Sequence, residues 1–133
     1  CFKKKIKTIR FKIKNFKQNN VRVPPQSIES EQAVLGSIML RKDAMHEIED
    51  MVSPESFYVE KHKMIFRAML DLSLKNEPID MLSLSTKLNE QKLLDSIGGN
   101  VYLAEIVNVV PSSTNIKHYA DIVQKKYVLR SLI

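Results

Sequence analysis

The chain has 133 residues, of which 44% are hydrophobic and 27% charged, a composition that fits one small globular domain and leaves no room for a second core. The single cysteine, Cys1, and three scattered histidines offer neither an intramolecular disulfide nor a zinc pattern, and no apolar run approaches the roughly 18 residues of a membrane span. The net charge of +6 is uneven: residues 1–22 hold nine bases and no acid, so the rest carries 12 bases against 15 acids, a net of −3. Nonspecific phosphate affinity needs bases clustered on one face, so the body is not expected to bind nucleic acid.

Residues 1–22 are expected to be a basic tail without a core of its own. Phe2, Ile6, Ile9, Ile13 and Phe16 would share one helical face, but strong self-repulsion predicts disorder until an anionic surface is met. Its candidate nucleic-acid contacts are Lys3, Lys4, Lys5, Lys7, Arg10, Lys12, Lys14 and Lys17. A membrane-surface helix and an organellar targeting segment are the other readings, although targeting would favour Arg and Ser over Lys and Asn.

Pro24 and Pro25 lack amide donors and favour extended geometry, so the folded body is expected after them. Ser27 is the predicted cap of a helix from Ile28 to Leu40 with Val34, Leu35 and Ile38 inward. Asp43 opens a short helix through Val52 that buries Met45, Ile48 and Val52. Ser53 and Pro54 start another turn, and a longer helix over Lys61 to Lys75 turns Ile65, Met69 and Leu72 inward. Asn76 to Pro78 breaks it. Asp80 caps a helix from Met81 to Asn89 with Leu84 and Leu88 inward. Gly98 and Gly99 predict a turn of positive φ before a helix over Asn100 to Val109, with Leu103, Ile106 and Val107 inward. Pro111 ends it. Ser112 to Asn115 offer caps for a last helix from Ile116, on which Ile116, Tyr119, Val123, Tyr127 and Arg130 form a stripe. No sustained period-2 pattern argues for a sheet, so the predicted fold is all-α with six or seven short helices.

The chemistry inventory is nearly empty. The three glycines, Gly36, Gly98 and Gly99, cannot form a phosphate-binding loop, which needs a pair five residues apart. His46, His62 and His118 fall on three different helices and are expected at the surface. Ser27, Ser53 and Ser112 are better explained as caps than as nucleophiles. The acidic pairs Glu29/Glu31 and Glu47/Asp50 are expected on solvated helix faces rather than as acid–base dyads. No catalytic, cofactor-binding or metal-ligating residue is assigned. What remains is surface: a helix from Ile116 to Ile133 is too long for a small head to cover, so part should project and present Ile116, Tyr119, Val123 and Tyr127 as interface candidates.

Eight segments in order resemble the N-terminal domain of bacterial replicative helicases of the DnaB type. They are Arg22 to Ser37 (RVPPQSIESEQAVLGS), Ser53 to Tyr58, His62 with Ile65 and Phe66, Glu77 to Asp80, Ile97 to Gly99, Tyr102 with Leu103, Val110 to Ser112, and His118 to Ala120 with Ile122 and Val123. The resemblance implies a compact multi-helix head over residues 23–115. It also implies that residues 116–133 are the first helix of a truncated dimerisation hairpin. Copies of the chain would pair through such hairpins into the collar of a hexameric ring, which also recruits primase. ATP and Mg²⁺ would be bound by a motor beyond Ile133, so no cofactor is expected here and DNA would be reached through the parent protein. The implied location is the bacterial cytoplasm, with an organelle as the alternative. The lysine-rich tail departs from the short polar lead usual in this family.

Overall fold

The computed structural model describes residues 24–41, 43–111 and 115–132, and among them the secondary structure is entirely helical. Six α-helices follow in order: α1 (Ile28–Leu40), α2 (Ala44–Ile48), α3 (Glu60–Leu74), α4 (Met81–Glu90), α5 (Gly99–Asn108) and α6 (Ile116–Ser131). Two 3₁₀ turns, Pro54–Ser56 and Asp95–Ile97, precede α3 and α5. The basic tail and the Ser112 cap lie outside the described residues.

Helix α1 is the axis of the fold. Eight of its positions, Ser30, Glu31 and Ala33 to Ile38, are buried, and a helix buried nearly all round must be surrounded by others. It is packed by α5 and α6 along its length, with α3 and α2 also touching it. The Ser27 side chain accepts the Ser30 N–H at 3.4 Å, as its capping position predicts, and Glu29 and Glu31 occupy the favourable first turn. Gly36 permits the closest approach: a Cβ there would lie 2.7 Å from the Ile106 carbonyl oxygen of α5 and overlap Val110. Because α5 turns Tyr102, Leu103 and Ile106 inward to meet α1, Val107 sits at the edge and is half-buried rather than inward as expected.

The longer helices close by identifiable chemistry. Asn76, in the left-handed region at φ 57°, ends α3 and lets the Glu77 N–H reach the Leu72 carbonyl at 2.9 Å. Lys92 does the same after α4 at φ 59°, with the Leu93 N–H on the Leu88 carbonyl at 2.8 Å. Gly98 (φ 101°) and Gly99 (φ 71°) make the positive-φ turn that leads into α5. One apolar cluster then joins all six helices, with Leu35, Ile48, Phe66, Leu84, Leu103 and Val123 each at most 1% exposed. Phe57 and Phe66 pair within it at 5.0 Å between ring centroids.

One expectation is corrected here. Helix α6 does not project over its described length: Ile116, Ala120 and Val123 belong to the core, and the helix is fastened near its far end as well. Ser56 donates to the Gln124 side-chain carbonyl at 2.8 Å, and Arg130 donates to the Pro25 and Ser56 carbonyls at 2.8 Å each. The head covers the helix because α6 packs on α1, on α2 and on the turn Pro54–Ser56.

Backbone fit at two positions makes opposite predictions. Gly36→Ala should lower the urea midpoint by the equivalent of about 1–3 kcal/mol, because the new methyl meets backbone that cannot swing away. Lys92→Gly should raise it by roughly 0.5–1 kcal/mol by removing a side chain from a left-handed position.

Candidate interaction module and its polar centre

The polar centre starts with Glu31, whose position on α1 is in phase with Val34, Leu35 and Ile38 and points inward with them. Its carboxylate meets the chain entering α3, where the residue just before the helix, Val59, has no side chain that could cap. Glu31 instead holds the two residues that lead into the helix: Oε2 accepts the Tyr58 N–H at 2.7 Å and Oε1 the Val59 N–H at 3.3 Å. Negative charge at a helix N-terminus is favoured by the helix dipole.

His62, on the first turn of α3, continues the chain of contacts. Its Nδ1 lies 2.8 Å from Glu31 Oε1 and its Nε2 2.5 Å from the Tyr102 hydroxyl of α5. Gln32 of α1 reaches the same hydroxyl at 3.4 Å. One assignment satisfies every group with a neutral imidazole: Nδ1–H donates to Glu31, the Tyr102 O–H donates to Nε2, and the Gln32 amide donates to the Tyr102 oxygen. Burial, opposed by the Gln32 hydrogen bond and reinforced by the charges of Glu105 and Glu31, holds the Tyr102 hydroxyl above its usual value of 10 and keeps it a donor. Lys61 covers the Tyr102 ring, with Nζ 3.7 Å from its centroid.

These placements overturn two expectations. His62 is completely buried and Glu31 is 1% exposed, so neither is the solvated side chain predicted for it. His46, His118 and Glu29 are exposed as expected. Glu31, His62 and Tyr102 have the order of an acid–base relay, yet the chain of hydrogen bonds ends on a tyrosine paired with Gln32 inside the protein. With no face open to a substrate, its physical effect is to lock α1, α3 and α5 together.

The predicted interface residues separate. Ile116 and Val123 are each 1% exposed and serve the core, so neither is available as a contact surface in this chain. Tyr119 is half-buried against the core. Tyr127 is half-buried beside Arg130, whose guanidinium lies 5.9 Å from the Tyr127 ring and 5.4 Å from that of Tyr58. The eight basic candidates from Lys3 to Lys17 lie outside the described residues. Arg130 is the functional candidate that periodicity undervalued: it is on the α6 stripe, but its partners are backbone carbonyls distant in sequence. Among the described residues no group of three metal-ligating side chains occurs.

Comparison with known proteins gives one consistent result. Residues 23–125 match the DnaB-like helicase N-terminal domain family. The chain is 44% identical over 114 residues to the replicative DNA helicase DnaC of Bacillus subtilis, covering 86% of this chain and 25% of that protein. It is also 44% identical over 112 residues to the replicative DNA helicase DnaB of Geobacillus stearothermophilus, covering 84% of this chain and 25% of that protein. The crystal structure of the N-terminal domain of DnaB helicase from Mycobacterium tuberculosis superposes with a TM-score of 0.80 at 38% identity, over 83% of this chain and 80% of that one. A DnaB-like replicative helicase described with its interactions with primase superposes with a TM-score of 0.71 at 32% identity, over 79% of this chain and 25% of that one. The chain therefore spans about a quarter of the length of the curated relatives it matches.

The polar centre predicts a pH signature. A tyrosine whose folded pKa is raised stabilises the fold fully below its unfolded pKa, and this contribution fades as the pH climbs past that value toward the folded one. The urea midpoint should therefore fall more steeply above about pH 10 for the wild-type chain than for Tyr102→Phe. Equal slopes would remove Tyr102 from the account. Glu31→Ala, which strands His62 and two amides, should cost roughly 2–4 kcal/mol at neutral pH.

Proposed function

Because this chain belongs to the DnaB-like helicase N-terminal domain family, we propose that it is an assembly and docking module of a replicative DNA helicase, without a motor of its own. The observation that carries this reading is the family match over residues 23–125, joined to a polar inventory turned inward. Glu31, His62 and Tyr102, the best-placed groups for chemistry, spend their hydrogen bonds on each other, on two backbone amides and on Gln32. On this reading ATP and Mg²⁺ belong to a motor domain outside the chain. Its partners are further copies of itself, paired through a hairpin that begins with α6 to form the collar of a hexamer. Primase is the docking partner, a proposal supported by the primase interactions named for the structural relative. DNA is engaged through the parent helicase. The reading assigns the module to the cytoplasm; among the described residues no helix is long and apolar enough to cross a membrane.

Charge supports a second reading. Nine bases and no acid in residues 1–22 would give a free-standing adaptor weak, sequence-independent affinity for DNA through the tail.

Calorimetric titration with the cognate primase, and a phosphate-release assay with ATP, test the first reading. Saturable binding and no turnover are expected; absence of binding, or hydrolysis by the purified chain, would overturn it. The second predicts DNA affinity that falls steeply with salt and disappears when residues 1–20 are deleted.

A further inference from the structure

Beside the C-terminal turn of α6, a cleft of about 350 Å³ is lined by Glu55, Tyr58, Lys63, Tyr127, Arg130 and Ser131, among others. Its cations are unequally neutralised. Glu55 is paired with Arg67 at 3.0 Å, both side chains about half exposed. Lys63 leans on Glu60 at 3.5 Å, an i,i+3 pair in which Glu60 is largely exposed and which solvent weakens. Arg130 has no carboxylate within ion-pair distance among the described residues.

The Arg130 guanidinium is nonetheless rigid. Two of its five N–H groups are spent on the Pro25 and Ser56 carbonyls, and the Tyr58 and Tyr127 rings flank it. Carbonyl oxygens fix its orientation but do not cancel its charge, and three donors remain. Burial depresses its basicity, a penalty that the negative charge of Glu31 partly offsets. An arriving anion would relieve that penalty further, at a site whose side-chain entropy is already lost. Tyrosine and arginine are the residue types that dominate binding hot spots. Apolar area is at hand as well, since Tyr58 is 37% exposed.

We propose that the Tyr58–Tyr127–Arg130 cleft is a docking point for an acidic protein segment, which places a carboxylate on Arg130 and Lys63 and an apolar side chain against the tyrosine rings. This deepens the docking reading and rests on it for the biological partner. The commitment to a protein segment follows from the paired tyrosines, which offer apolar ring area beside the cations.

The test is an NMR titration of the whole chain with a short capped peptide alternating glutamate and leucine, alongside its glutamine counterpart and inorganic phosphate. The acidic peptide is expected to shift the Arg130 Nε and the Tyr58 and Tyr127 ring signals saturably. The glutamine peptide should not do so. Lys63→Glu, which leaves the Arg130 contacts intact, should weaken the acidic peptide by about threefold to fivefold. Lys125→Gln, on the outer face of α6 and paired with Asp121, should leave it unchanged. Absence of shifts, equal shifts from the glutamine peptide, or equal shifts from phosphate at the same concentration would overturn the assignment. Calorimetry of Lys63→Glu with primase separates the two claims. Primase bound equally by wild type and variant, with no peptide effect, would sink the cleft and leave the docking module standing. Peptide binding without primase binding would do the reverse.

Discussion

A carboxylate buried among apolar side chains is costly unless its oxygens are matched by donors. Glu31 meets that constraint with two backbone amides and an imidazole drawn from one short stretch, Tyr58 to His62. The consequence is geometric. The start of α3 can take one position relative to α1, and His62 then carries the restriction to Tyr102 on α5. Three helices that apolar contact alone would allow to slide are held in register, because losing any member strands a buried polar group. The remaining elements build on that frame, with α4 packed on α3 and α5, and α6 on α1 and α2.

Gly36 provides the complementary condition. The network fixes the register of α1 and α5, while the missing side chain sets how closely they approach, with the Ile106 carbonyl where a Cβ would otherwise stand. At the opposite edge, Arg130 ties the end of α6 to the segment before α1 and to the turn before α3. One guanidinium thus joins parts of the chain more than a hundred residues apart and leaves its charge directed into a cleft. The polar side chains most deeply engaged hold helices together, and the groups left facing outward suit recognition of another protein more than catalysis. This division of labour fits a docking module.

Much of the fold was legible from local chemistry. Ser27 and Asp80 cap the helices their positions suggested, α1 spans Ile28–Leu40 as its apolar spacing requires, and Gly98 and Gly99 take the positive φ expected of them. These features depend on residues within a few positions of one another, where sequence carries nearly all the information. The all-helical class and the family resemblance follow from the same local patterns. The identities of His62 and Glu31 were visible too, together with their phase: each lies three, four and seven positions before inward apolar residues, Ile65, Phe66 and Met69 in one case and Val34, Leu35 and Ile38 in the other.

Tertiary structure decided what those polar residues do. Helical phase placed Glu31 and His62 on buried faces, but a polar residue there is tolerable only with a partner, and the partner is 31 positions away in the chain. No periodicity specifies that distance. The same holds for Arg130, whose acceptors are main-chain carbonyls that carry no side-chain signature, and for Ile116 and Val123, whose stripe is equally compatible with a core and an interface until α6 is laid against α1. Local sequence determined which helices form and where they stop, because caps and turns act over a few bonds. Packing determined which of their polar groups are hidden, matched or left facing outward, because that depends on neighbours brought together only by the fold.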